Sequence, residues 1–302
     1  MKKVTVLIST FNGDKYLKEQ LVSVRNQIGV DTHIIVRDDG SSDDTCNILE
    51  EWQRKGYLTW YRGRNLKSAR SFLDLLKNSG DSDFYAFCDQ DDVWLEDKLI
   101  SGIKKLEIQS ENTPSLYFSN YQMVDSNLNI IETPMKENVY PDIYHSIISN
   151  EVTGCTLIIN KALRDIVNTY NPEFISMHDD WIYNVCISIG GFVAFDTTPH
   201  IFYRQHSNNV VGGIKDTFIK KNKVRLIKLF KEGEYLRSKL AKELISGYAD
   251  DMSKEIFNEL TLISNNRLFK NRLKILINTK HFKGLNFERK LKFITMILLN
   301  KF

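Results

Sequence analysis

The stretch Cys88-Asp89-Gln90-Asp91-Asp92-Val93-Trp94 places three carboxylates within four residues. It follows directly on Phe84-Tyr85-Ala86-Phe87, a short apolar, aromatic-rich run of the kind that forms a buried strand. Carboxylates gathered at the end of a buried strand repel one another and lose solvation. A divalent cation removes that conflict. Mg²⁺ or Mn²⁺ takes oxygen ligands, usually one or two carboxylates together with substrate phosphates. The pattern therefore points to a metal and nucleotide site. Asp91 or Asp92 could instead cap a helix over Trp94 to Leu106, but a cap needs one aspartate and not three.

Two further acidic clusters lie elsewhere in the chain. Arg37-Asp38-Asp39-Gly40-Ser41-Ser42-Asp43 follows an apolar run from His33 to Val36, and His178-Asp179-Asp180-Trp181 opens a helical pattern through Tyr183, Val185, Ile187 and Ile189. The elements that must hold these groups can be read from periodicity. Strands are predicted at Val4 to Ser9, His33 to Val36, Leu58 to Tyr61 and Phe84 onward, with helical spacing between them at Leu17, Leu21 and Val24, at Ile48, Leu49 and Trp52, and at Phe72, Leu75 and Leu76. Asp14 is the expected cap of the first helix, and Ser42 or Asp43 of the second. Such βα alternation argues for a mainly parallel sheet covered on both faces, with ligands beyond the carboxyl ends of its strands. Thr10, Asp38-Asp39 and Asp89 to Asp92 all fall at such ends. Later strands are predicted at Leu116 to Ser119, Tyr121 to Val124, Val152 to Ile159, Val193 to Phe195 and His200 to Tyr203, with a helix at Lys161 to Val167.

The composition is that of an ordinary globular chain, 42% hydrophobic and 26% charged over 302 residues. No apolar run approaches the ~18 to 20 residues that span a bilayer. The amino terminus has the charge of a signal peptide but not its apolar length or cleavage site, and is taken as the first strand. Cys46, Cys88, Cys155 and Cys186 form no Cys-x-x-Cys pair and are expected to be free thiols in a reducing cytosol. The net charge of +3 is unevenly spread. Residues 215–302 hold 21 Lys and Arg against 9 Asp and Glu, a net of +12, which leaves −9 on the remainder. Beyond Lys215 the pattern is helical and amphipathic, with Val224, Ile227, Leu229 and Phe230 early and Leu291, Phe293, Ile294, Ile297 and Leu298 late.

Together these motifs resemble family 2 inverting glycosyltransferases of the GT-A fold, in particular their bacterial rhamnosyltransferase-like branch. The resemblance rests on Ser9-Thr10-Phe11-Asn12-Gly13, Asp38-Asp39-Gly40-Ser41-Ser42-Asp43, Cys88 to Trp94, His178-Asp179-Asp180-Trp181 and Tyr203-Arg204-Gln205-His206-Ser207-Asn208-Asn209. It covers about residues 1–213. It implies an α/β GT-A domain over 1–213, with a nucleotide-sugar-binding half at 1–112 and an acceptor-binding half at 113–213. A basic amphipathic helical segment follows at 214–302.

By the same resemblance Thr10 faces the nucleotide, Asp39 accepts a base N–H, and Arg70 lies near base or phosphates. Asp89 and Gln90 belong to the donor site. Asp91 and His206 ligate Mn²⁺ or Mg²⁺. Asp180 is the general base, with Asp179, Trp181 and Asp92 in acceptor-binding or supporting places. The expected partners are a dTDP- or UDP-sugar donor and a glycan or lipid-linked glycan acceptor, with no nucleic acid. The expected place is cytoplasmic, with 215–302 against an anionic membrane surface, a second subunit of a homodimer or the catalytic domain. Rhamnose from dTDP-rhamnose is the first donor reading and a UDP-hexose or UDP-N-acetylhexosamine the second. An inactive nucleotide-sugar-binding scaffold is the reading from another class. A nucleotidyltransferase would need a glycine-rich basic loop after the first strand, and Thr10 to Asp14 offers one glycine and no basic residue.

Overall fold

A computed structural model describes residues 1–148, 150–206 and 236–302. The motif residues Ser207, Asn208 and Asn209, and the expected helical residues Val224, Ile227, Leu229 and Phe230, lie outside the described residues.

Strands and helices alternate over the first part of the chain: β1 (Lys3–Thr10), α1 (Asp14–Arg25), β2 (Asp31–Asp38), α2 (Thr45–Arg54), β3 (Thr59–Arg62), α3 (Lys67–Lys77) and β4 (Phe84–Cys88). The four strands are parallel and run β3-β2-β1-β4 across the sheet. Alternation along β4 sends Tyr85 and Phe87 into one core and Phe84, Ala86 and Cys88 into the other. All five are buried, as in a strand covered on both faces. The register sets Thr10 opposite Asp38 and Ile8 opposite Cys88. The carboxyl ends of three strands therefore meet at one edge, where the polar turns begin.

The same sheet continues from β4 through β8 (Ile158–Asn160), β6 (Ser115–Ser119) and β9 (Phe192–Asp196). β8 is antiparallel to both its neighbours, and β9 is parallel to β6. A second small sheet joins β5 (Val93–Trp94), β10 (Ile201–Arg204) and β7 (Gln122–Val124). Helices α4 (Lys98–Leu106), α5 (Ile143–Ser146), α6 (Lys161–Val167) and α7 (His178–Ser188) complete this part. The architecture is the mainly parallel α/β sheet that the periodicity predicts.

Four local expectations differ. The N-cap position of α2 is Asp44 and not Ser42 or Asp43, although Asp43 Oδ1 accepts from the Thr45 N–H at 3.1 Å. Trp94 lies in β5, and the helix behind it starts only at Lys98 with Asp97 at its N-cap, so Asp91 and Asp92 cap nothing there. Asp14 is the first helical residue of α1 and not its cap; the N–H groups of Gly13 and Asp14 donate to Thr45 Oγ1 and Asp43 Oδ2 across the α2 entry. The run from Val152 is not one strand. Gly154–Thr156 forms a tight 3₁₀ turn, and the ladder begins at Ile158. A Cβ at Gly154 would come within 2.7 Å of His178 Nε2, so the turn packs directly on the α7 amino end.

After the undescribed segment come α8 (Leu236–Tyr248), α9 (Lys254–Ser264), α10 (Phe269–Ile277) and α11 (Phe287–Leu298). Leu240, Ala241, Leu244 and Tyr248 of α8, Leu260 and Ile263 of α9, and Phe293 and Ile297 of α11 share one core with Trp181, Ile182 and Val185 of α7. Burying a large apolar side chain of this kind contributes about 1.5–3 kcal/mol of transfer free energy. Residues 236–302 are therefore packed on the α/β unit and not tethered beside it.

Candidate active site

At the end of β2 the two adjacent aspartates have different partners. Asp38 Oδ2 accepts from the N–H groups of Gly40 and Ser41 at 3.0 and 2.9 Å, and Oδ1 accepts from Thr10 Oγ1 at 3.3 Å. It shapes the turn, in which Gly40 takes φ +92°, a conformation that glycine enters without steric cost. Asp39 pairs with the buried Arg37 and accepts from the N–H groups of Leu66 and Lys67. Those bonds occupy both its oxygens, so the expected bond from a base N–H would have to replace one of them. Gln90 clasps the neighbouring strand end, its Oε1 accepting from Phe11 N at 2.8 Å and its Nε2 donating to Phe11 O at 3.2 Å. Its place is a tie between β1 and β4.

Beyond β4, Asp91 Oδ2 lies 2.8 Å from His206 Nε2. The imidazole also stacks on Tyr16, with centroids 5.3 Å apart. The sequence distance between Asp91 and His206 is closed by Arg204. Its N–H donates to Asp92 Oδ1 at 3.0 Å and its Nε to Asp91 O at 2.8 Å. Burial pushes Asp89 up to about 7, with the charges of Asp91 and Asp179 adding to it. Asp92 is raised by burial too, then by Asp91 and Asp89, and its Oδ2 has no hydrogen-bond partner among the described residues. Lys98, a buried ammonium over the Trp94 ring at 3.7 Å, stands near it and is drawn down to about 8 by desolvation.

Crowded carboxylates that resist ionisation, with an imidazole against one of them, are a donor set that suits a hard divalent cation, whose charge reverses the local preference. Asp89, Asp92 and Cys155 also bring ligand atoms within 4.8 Å of one another. Burial raises the Cys155 thiol well above its ordinary range, which makes it a poor ligand.

The acidic pair opens α7. Asp180 is fully engaged: Oδ2 accepts from Ser176 Oγ at 2.8 Å, Oδ1 from Asn184 Nδ2 at 3.1 Å, and both from Arg237 Nη1 at 3.0 and 2.9 Å. Asp179 accepts from Asp180 N at 2.7 Å and is held up at about 6, chiefly by burial. His178 beside it is wedged against Phe72 and Phe87 and kept neutral, with burial pulling it to about 3. Trp181 is 1% exposed and packs on Tyr170 and Tyr248, so it belongs to the core and forms no wall of an open pocket. Arg70 gives its Nη2 to the carbonyls of Pro172 and Glu173 at 3.2 and 2.6 Å, in the loop that leads to α7.

The family model for glycosyl transferase family 2 matches residues 5–167, more than half of the chain. The chain belongs to glycosyl transferase family 2. It is accordingly a glycosyltransferase. The dTDP-rhamnosyl transferase RfbG of Shigella flexneri is 26% identical over 313 residues, covering 98% of this chain and 100% of the relative. A second relative is the UDP-Glc:alpha-D-GlcNAc-diphosphoundecaprenol beta-1,3-glucosyltransferase WfgD of Escherichia coli. It is 24% identical over 183 residues, 60% of this chain and 68% of its own. Among solved structures, S. aureus TarS 1-349 in complex with UDP superposes with a TM-score of 0.59 at 18% identity, over 96% of this chain and 77% of that one. That likeness is one of fold.

Within this family 2 glycosyltransferase the basic partners of the acidic motifs escape sequence reasoning. Arg37 pairs with Asp39 and Arg237 with Asp180, yet nothing in the sequence assigns either a role. Arg37 is 3% exposed. The usable signal is a charged residue inside an apolar strand, as in Ile34-Ile35-Val36-Arg37, because such a charge is buried only when paired.

Proposed function

We propose that this chain transfers a sugar with inversion from a nucleoside diphosphate donor to a hydroxyl of a surface glycan or its lipid-linked precursor, and that the sugar is rhamnose carried by dTDP. The reading rests on one carboxyl, Asp179, kept protonatable near neutral pH beside the acidic end of β4. Inverting transfer needs a single base to take the acceptor proton as the hydroxyl attacks the anomeric carbon. Asp180 is the base expected from the sequence, but its oxygens are turned to Arg237, Ser176 and Asn184. We therefore assign the base to Asp179. Asp91 and His206 would hold Mn²⁺ or Mg²⁺, which neutralises charge developing on the leaving diphosphate. Thr10 and Asp39 would serve the base end of the donor site, and Asp39 does so by fixing Leu66 and Lys67.

The dTDP reading is supported by the full-length match to the Shigella relative. A UDP-hexose donor is the second reading, favoured by the glucosyltransferase relative. Thermal unfolding with dTDP, UDP or GDP and Mn²⁺ separates them. A ligand at a hundredfold its dissociation constant adds ~2.7 kcal/mol of stability. The largest rise is expected with dTDP. A larger rise with UDP replaces the first reading by the second, and no rise with any of the three removes the donor assignment.

We also place the carboxyl-terminal helices at an anionic membrane surface. No helix among the described residues is long and apolar enough to cross a membrane. On α10, Phe269, Leu273 and Ile277 recur every four residues and are 62, 44 and 75% exposed, while Ile275 on the other face is buried. On α11, Phe287, Leu291 and Leu298 are exposed, while Phe293 and Ile297 are buried. Lys270, Lys274, Arg289 and Lys292 stand exposed among them. An apolar stripe flanked by cations suits the headgroup boundary, where each basic residue contributes about 1 kcal/mol. The full chain is expected to cosediment with phosphatidylserine-containing vesicles at low salt and to be released as salt screens the attraction. Ile277→Asp with Leu291→Asp should abolish binding. If the full chain ignores such vesicles at low salt the membrane reading fails, and the stripe is to be sought in a homodimer.

A further inference from the structure

Helix α8 lies beyond the residues that the family model matches, yet it grips both ends of the segment that carries the acidic pair. At one end Arg237 donates to both oxygens of Asp180. At the other Glu243 accepts from Tyr170 Oη at 2.8 Å and from the N–H groups of Glu173 and Phe174 at 3.0 and 3.1 Å. Close approach is possible because residue 247 is glycine; a Cβ there would lie 2.7 Å from the Tyr170 ring. The N–H of Asp180 in turn donates to Asp179 Oδ1. The two aspartates are thus tied to each other and, through the Asp180 carboxylate, to α8.

We propose that Arg237 is a positioning residue for the base Asp179: it fixes the neighbouring Asp180 and offsets its charge, so that the carboxyl-terminal helices complete the active site. The proposal rests on the reading of Asp179 as the base. Several elements present groups to Asp179. Asp180 and the neutral ring of His178 lie on its own helix, and the Asn150 amide and Gly154 N–H face it from the 150–154 segment. Asp89 stands at the end of β4, and Lys136 comes from the loop after β7. Arg237 gives its hydrogen bonds to Asp180. Without the guanidinium, Asp180 would act on Asp179 as an uncompensated like charge one residue away, which disfavours ionisation of the base.

The test is a carboxyl ¹³C titration of the full chain with labelled aspartate, free of metal, between about pH 4 and 8, the range that brackets a raised carboxyl. Asp179→Asn identifies the resonance. Arg237→Met should raise the midpoint of Asp179 by about one unit or more. Arg237→Lys, which keeps the charge, should stay near the parent chain. In an Asp180→Asn background the rise on Arg237→Met should be clearly smaller, because only the guanidinium's own field is then left to lose. If Arg237→Met does not fold, Arg237→Gln, which keeps a donor but no charge, is read in its place. An unchanged midpoint in the folded variant overturns the proposal, and so does the same shift persisting in the Asp180→Asn background. Transfer by Asp179→Asn bears on the base reading alone, and its retention would overturn that reading while leaving the titration result standing.

Discussion

Asp179→Asn is expected to keep nucleotide affinity and to lose transfer by about 10²- to 10⁴-fold, the usual contribution of a positioned general base. Asparagine has nearly the shape of aspartate and can still accept from the Asp180 N–H, but it cannot take a proton. The carboxyl at 179 is held at about 6 by burial, and a base works only when ionised. The rate with the parent chain should therefore rise with pH through about 6 and level off above it, and the acidic limb should report this group. Asp180→Asn should cost less, because that side chain is directed to Arg237, Ser176 and Asn184 and not to an open space. Steady-state transfer and nucleotide binding measured on both variants decide the matter. A loss at Asp180 equal to or larger than that at Asp179 would return the role to Asp180.

Asp91→Ala is expected to abolish donor turnover and to remove the Mn²⁺-dependent part of nucleotide diphosphate affinity. Loss of a partner that merely orients a metal ligand costs about 10- to 100-fold in affinity or activity, so loss of a ligand should cost at least about 100-fold. The variant also strips His206 of the contact at 2.8 Å that sets its ring against the strand end. Calorimetric titration of dTDP and UDP, with Mn²⁺ and with chelator, separates the metal-dependent affinity from the rest. In the parent chain the two conditions should differ, and in Asp91→Ala they should coincide. Metal-dependent affinity that survives the substitution would sink the assignment of Asp91.

Much of the sheet was legible because strand and helix periods report which faces are apolar. The mostly apolar run over Val4 to Ile8 and the buried run Phe84 to Cys88 follow from that, as does the meeting of Thr10, Asp38 and Asp89 at one edge. Legibility failed where a local preference was overruled from a distance. Val152 to Ile159 has the composition of a strand, yet the α7 amino end packs on Gly154 and turns the chain there. Trp94 fits a helix start, yet β10 pairs with it and draws it into a strand. Trp181 suits a pocket wall or the core equally by its type, and only the packing of α8 on it decides for the core.

The sequence by itself determined the family, the α/β sheet and the acidic clusters from which the site is built, because each is a matter of residue type at short spacing. Only the tertiary structure decided how those acids divide their work. Partners are chosen by segments far apart in the chain: the Arg204 N–H reaches Asp92 across 112 residues, and the Arg237 guanidinium reaches Asp180 across 57. A carboxylate's usefulness as ligand, tie or base depends on its burial and on the charge set against it. Neither quantity is written in the residues beside it.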